Sequence, residues 1–164
     1  MKTLLILRHA KSSWNDAGMD DHDRPLNKRG KRVAPQMGRL LKGQDLVPEV
    51  IVSSTAQRAK KTAELVAENC GYLGTVEVTQ RLYHASAAEA ISVLAELDGD
   101  QACVLLVAHN PGVEGLLEGL TGEVAAMPTA ALAQVELPID QWPSLSLATE
   151  GTLINLWRPR ELEE

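Results

Sequence analysis

Leu4–Leu7 is an unbroken apolar run that stops abruptly at Arg8-His9. A continuous rather than alternating run is the pattern of a strand covered on both faces, as in a parallel sheet flanked by helices. A chain that opens this way is constrained towards an α/β layer architecture, because each face of the strand needs a partner. Arg8 and His9 then fall where the strand leaves the sheet. In open α/β sheets, ligands bind just outside the carboxyl ends of strands.

The rest of the chain alternates in the same style. Lys11–Leu26 is polar and reads as a loop, long enough to point to function. Asn27 is placed to cap a helix over Lys28–Lys42, with Val33, Met37, Leu40 and Leu41 on one face. Pro35 within it predicts either a kink or a start nearer Arg32. Val50–Val52 reads as a second buried strand. Ser54 or Thr55 is expected to cap a helix through Asn69, ended by Gly71. A short strand at Val76–Val78 precedes a helix from Ser86 to Leu97. Gln101–Ala108 is the most apolar strand, and Pro111 suits the first turn of a helix through Leu120. Leu132–Leu137 and Leu145–Trp157, joined through Pro138, Asp140 and Pro143, read as an antiparallel hairpin at a sheet edge. The expected fold is a three-layer α/β/α arrangement with a mostly parallel sheet and an antiparallel C-terminal hairpin, in one domain over 1–164.

Composition narrows the function. The net charge of −6 argues against general nucleic-acid binding, since phosphate backbones reward clustered Lys and Arg. It leaves the charge of a local pocket open. Cys70 and Cys103 form no C-x-x-C and read as reduced cysteines of a cytoplasmic protein. The apolar stretch before Arg8 is shorter than the roughly 7–15 residues of a signal-peptide core. No run approaches the ~20 residues of a membrane span. With Phe absent and aromatics scarce, the core falls to Leu, Val, Ile and Ala, and Trp142 and Trp157 read as core or edge packing.

Three strand ends carry chemically similar groups. The first ends in Arg8-His9. The second ends in Ser53-Ser54-Thr55, with Arg58 one turn into the next helix. The fourth ends in Ala108-His109-Asn110. In a right-handed, mostly parallel sheet these ends share one edge. Each residue alone reads first as an ordinary polar strand end or an exposed helix cation. Together, two imidazoles and two guanidiniums suit phosphoryl transfer. Arg presents a planar fork to two phosphate oxygens, and helix N-termini after Thr55 and Asn110 add backbone donors. A neutral imidazole is a competent nucleophile at phosphorus.

The motifs also carry a resemblance. L-R-H-A at 7–10 resembles the R-H-G/A signature of the histidine phosphatase superfamily, which includes the phosphoglycerate mutases. D-R-P-L-N-K-R-G at 23–30, S-S-T-A-Q-R-A-K-K-T-A at 53–63 and L-L-V-A-H-N-P at 105–111 are similar to that family's blocks in order and spacing. The short chain, R-H-A and V-A-H-N-P most resemble the SixA-type phosphohistidine phosphatases. The resemblance implies a phosphoglycerate mutase-like fold and His9 as the phosphate-accepting nucleophile. Arg8, Arg58 and His109 would hold the phosphoryl oxygens, and His109 would carry positive charge into the transition state. Ser13, Asn15 and Asn110 would contact the phosphate or leaving group. Arg24 would either line the entrance or pin the loop. No metal or organic cofactor is implied. The partners implied are a phosphohistidine-bearing protein or a small phosphorylated substrate, with inorganic phosphate as product.

One departure bears on the substrate. Many members place a carboxylate after the third strand to protonate the leaving alcohol, where this chain reads Arg81-Leu82-Tyr83-His84. Glu77 and Glu89 are no obvious substitutes. A general acid contributes roughly 10²–10⁴-fold when the leaving group is poor. Imidazole is a much better leaving group than an alkoxide, so the P–N bond of phosphohistidine tolerates the loss. Tyr83 is expected to pack under the site and His84 to lie on its rim. His22, amid Asp20, Asp21 and Asp23, reads as a divalent-cation cluster or as a solvated loop; no H-x-H or H-E-x-x-H spacing supports the cation. Two alternatives stand beside the phosphohistidine phosphatase: a broad phosphomonoesterase or mutase on small metabolites, and a non-catalytic phosphate-binding module.

Overall fold

The computed structural model describes residues 1–14 and 18–162. Its sheet has six strands: β1 (Lys2–Arg8), β2 (Val50–Ser54), β3 (Glu77–Thr79), β4 (Cys103–Ala108), β5 (Leu132–Leu137) and β6 (Thr152–Trp157), in the order β3-β2-β4-β1-β5-β6. The first four are parallel; β5 runs antiparallel to β1, and β6 antiparallel to β5. Five helices accompany them: α1 (Lys28–Gly43), α2 (Gln57–Cys70), α3 (Ala87–Ala95), α4 (Gly112–Thr121) and α5 (Pro159–Leu162).

The opening run of β1 explains the layers. Leu4 and Ile6 pack with α3 and α4, while Leu5 and Leu7 pack with α1 and α2. All four are fully buried, and each contributes about 1.5–3 kcal/mol by leaving water. Alternation along a strand thus survives as alternation between two cores rather than between core and solvent. The three-layer α/β fold with its antiparallel C-terminal strands matches the expectation.

Several boundaries differ. Asn27 caps α1 as expected, accepting from the Gly30 N–H at 2.9 Å. The helix starts at Lys28 and continues through Pro35, so its start does not shift to Arg32. Pro35 forfeits one backbone bond, which is offset by burial of Val33, Ala34, Met37 and Leu41 against α2. Neither Ser54 nor Thr55 caps α2, which starts after Ala56. Ser54 Oγ accepts from the Ala56 N–H instead and is turned towards β4. Pro111 is the N-cap of α4 rather than its first helical residue. The last two strands form no tight hairpin. A single 3₁₀ turn, Trp142–Ser144, lies between them, and β6 begins at Thr152. The fully buried Trp142 anchors that connection, its Nε1–H donating to the Gln101 carbonyl at 2.9 Å.

Candidate active site

The end of β1 is fixed from three sides. His9 N–H donates to Ala108 of β4 at 3.1 Å, Ala130 N–H donates to the Arg8 and His9 carbonyls, and Ala10 N–H donates to Thr62 Oγ1 of α2 at 3.0 Å. Gly30 lets α1 approach the next residue, since a Cβ there would sit 2.2 Å from the Lys11 carbonyl oxygen. His9 therefore stands on strand ends and helix turns rather than on a free loop.

The expected residues converge. Arg8, His9, Arg24, Arg58, His109 and Asn110 line one cavity with Ser12, Asp21 and His84. The His9 and His109 ring centroids are 5.1 Å apart. Both rings and Arg58 are no more than 7% exposed.

Hydrogen bonding sets the state of each imidazole. His9 Nδ1 lies 2.7 Å from the Ala10 carbonyl, which only accepts, so Nδ1 carries the proton and Nε2 keeps its lone pair. His109 Nε2 meets Ser54 Oγ at 2.8 Å. That hydroxyl accepts from Ala56 N–H, and among the described residues its own proton meets no acceptor but Nε2, which places the ring proton on Nδ1. His109 Nδ1 and Arg8 Nε are buried with no partner among the described residues. Buried donors of this kind are costly unless something accepts from them, and an oxyanion in the cavity would.

Burial governs both titrations. Desolvation lowers His9 to about 4; the Ala10 carbonyl pulls the other way, and Arg58, Arg8 and Arg24 reinforce the lowering. Desolvation, then the charges of His9 and Arg58, lower His109 to about 3. Both rings are neutral at physiological pH. The stability consequence has a definite sign. Below pH 6.5 the unfolded chain takes up a proton that folded His9 refuses, so stability falls as pH drops from 6.5 towards 4. The loss from His9 is about 3 kcal/mol, and it should show as a thermal midpoint that declines across that window.

Asp21, absent from the sequence-derived set, is the carboxylate of the cavity. Its Oδ1 accepts from Arg24 at 2.7 Å, and its Oδ2 accepts from Arg58 at 2.9 Å and from the Tyr83 hydroxyl at 2.6 Å. Arg58 also donates to the Asp21 carbonyl. The Tyr83 hydroxyl, then Arg24 and Arg58, hold this carboxyl well below the usual carboxylate range. Asp21 thus occupies both terminal nitrogens of Arg58, as one phosphoryl oxygen pair would. Asp21→Asn removes that competing charge, and inorganic phosphate is expected to bind several-fold tighter, measured by titration calorimetry.

The other assignments sort themselves. Arg24 lines the cavity and also pins the loop, donating to the Ser13 carbonyl, Asp21 and Ser12 Oγ and lying over Trp14. Ser13 sits outside the cavity, beside Pro25–Arg29. Ser12 and Leu26 form a β-bridge, and the Ser13 N–H donates to the Pro25 carbonyl at 2.8 Å. Asn110 reaches the cavity wall, but its side chain is engaged with Glu114 and the Met127 carbonyl, bracing the turn that also receives Arg8. Asn15 lies outside the described residues. Tyr83 stacks near His84 and His109, as expected of a residue under the site. His22 bonds Thr55 Oγ1 at 2.8 Å, and no group of three or more metal-ligating side chains occurs among the described residues.

Two imidazoles ringed by guanidiniums thus lie at the carboxyl edge of a mostly parallel sheet in an α/β protein. The family model of the histidine phosphatase superfamily (branch 1) matches residues 4–89, more than half of the chain. An uncharacterized protein of Mycobacterium leprae is 30% identical over 160 residues, covering 96% of this chain and 93% of its own. The chain belongs to the histidine phosphatase superfamily. Among solved structures, the protein histidine phosphatase SixA complexed with tungstate superposes with a TM-score of 0.83 at 27% identity, covering 98% of this chain and 99% of its own. A mycobacterial glucosyl-3-phosphoglycerate phosphatase shares the fold, with a TM-score of 0.70 at 22% identity, covering 96% and 99%. No helix of the described residues is long and apolar enough to cross a membrane.

Proposed function

We propose that this phosphatase hydrolyses the P–N bond of phosphohistidine through a covalent intermediate on His9. The observation that carries the reading is the state of Asp21. It is the cavity's carboxylate among the described residues, and its neighbours keep it ionised, so it is a poor proton donor. A phosphate ester needs such a donor, because its alkoxide leaves badly without one. An imidazole leaving group does not.

In the first step, His9 Nε2 attacks phosphorus and the P–N bond of the substrate breaks. The departing imidazole takes its proton from solvent. Arg8 and Arg58 hold two phosphoryl oxygens, Arg58 exchanging Asp21 for them, and His109 Nδ1–H donates to a third. Donors set in place before the reaction stabilise the charge of the transition state without reorganising. In the second step, water attacks the phosphoryl group on His9, the new P–N bond breaks and inorganic phosphate leaves. Neutral His9 is the reactive form, so kcat/KM is expected to fall on the acid side with an apparent pKa near 4. Bound phosphoryl should raise His109, drawing a proton onto the pair.

The discriminating experiment compares phosphoramidate with p-nitrophenyl phosphate and an alkyl phosphate. The P–N compound and the activated ester are expected to turn over, and the alkyl phosphate to lag by roughly 10²-fold or more. Equal rates on all three would replace this reading with a broad phosphomonoesterase in which the Tyr83 hydroxyl, poised on Asp21, supplies the proton.

A further inference from the structure

A second cavity, of about 460 Å³, adjoins the candidate active site and shares Lys11 and Thr129 with it. Arg29 from α1, Arg158 just before α5 and Arg160 within it also line it, with Val33 and Pro159 as apolar wall. Among the described residues its carboxylate is Glu161, 3.7 Å from Arg158. Through Arg29 the groove continues into a shallow hollow bearing Lys28 and Lys31. Six of the chain's 16 Lys and Arg therefore follow one strip, on a protein whose net charge is −6. Helix stability does not account for them. Three of these cations sit in the first turn of α1, which holds no acidic residue, and positive charge there opposes the helix dipole.

The strip is tied rigidly to the nucleophile. Asn27 N–H donates to the Lys11 carbonyl at 3.0 Å, and the wall at Ala130 is bonded to the Arg8 and His9 carbonyls. Arg158 is held by the Ala126 carbonyl at 3.0 Å. A ligand spanning both cavities would meet a fixed spacing between the scissile phosphoryl and its second anchor.

We infer that this basic groove docks an acidic peptide segment flanking the phosphohistidine of a protein substrate; the inference rests on the phosphohistidine reading above. Charge complementarity selects anionic side chains, and the apolar wall takes their methylenes. The net charge of −6 disfavours an extended nucleic acid, whose affinity rests on many phosphate contacts along its length. Complementary charge of this kind governs encounter and choice of partner.

The test uses a phosphohistidine peptide with Asp at the flanking positions and its Asn counterpart. Binding to the His9→Ala variant, which does not turn them over, is read by fluorescence anisotropy. The Asp peptide is expected to bind at least tenfold tighter than the Asn peptide. That advantage should vanish when Arg29→Glu and Arg160→Glu are added, and survive in large part with Arg29→Lys and Arg160→Lys. Hydrolysis of phosphoramidate by Arg29→Glu/Arg160→Glu should equal that of the unmodified protein. Equal binding of the two peptides, an advantage that outlasts charge reversal, or displacement of the Asp peptide by a short single-stranded RNA at lower concentration would overturn the docking surface. Failure of the unmodified protein on phosphoramidate would instead overturn the phosphohistidine reading, with the binding comparison still deciding the groove.

Discussion

His9→Ala is expected to abolish phosphate release, by roughly 10⁴-fold or more, the scale seen when a covalent nucleophile is removed. The fold should persist. Among the described residues the ring makes a single hydrogen bond, to its own neighbour's carbonyl, while the backbone around it is held by β4, α2 and the turn at Ala130. A circular dichroism spectrum and a cooperative melt separate loss of chemistry from loss of structure. The variant should also lose the acid-side decline in stability assigned to His9. Below pH 6.5 its stability should decline less steeply than that of the unmodified protein, because a buried imidazole that resists protonation is gone.

Arg58→Ala is expected to cost roughly 10²–10³-fold in kcat, the range for removing one preorganised donor from an anion site. The reason is twofold. The guanidinium fork disappears, and Asp21 keeps its charge in the cavity, held among the described residues by Arg24 and Tyr83. Steady-state rates on phosphoramidate measure the total. Adding Asp21→Asn to Arg58→Ala should recover part of the loss, by removing the exposed negative charge. Arg58→Lys should not restore the rate, since a point charge cannot reproduce two parallel N–H donors. If the double variant is slower than Arg58→Ala alone, Asp21 serves catalysis rather than competing with substrate.

The framework and the central quartet were legible because each had a local signature. The apolar run of β1 needed cover on both faces, and Arg8, His9, Arg58 and His109 stand where strands meet their following turns. Asp21 escaped because it sits in a polar loop beside three other ionisable residues, and nothing local distinguishes it. Its role arises from Arg58, 37 residues away, and Tyr83, 62 away. The spacing from Asp21 to Arg24 was the signal available, as an i, i+3 ion pair. Ser13 lies beside Pro25–Arg29, where its backbone is held by the Pro25 carbonyl and by Arg24, contacts that no local pattern announces. The length of the last connection was hidden because Leu145 and Leu147 look strand-like, although the 3₁₀ turn on Trp142 captures the segment first. The basic groove could not be read at all, since its cations come from the two ends of the chain.

The most direct measurement is to mix the protein with phosphoramidate, quench in alkali within the first turnovers and map the phosphorylated peptide by mass spectrometry. The account predicts one acid-labile phosphoryl group on His9, and none in His9→Ala. A phosphoryl group on His109, or steady turnover with His9 never modified, would contradict it.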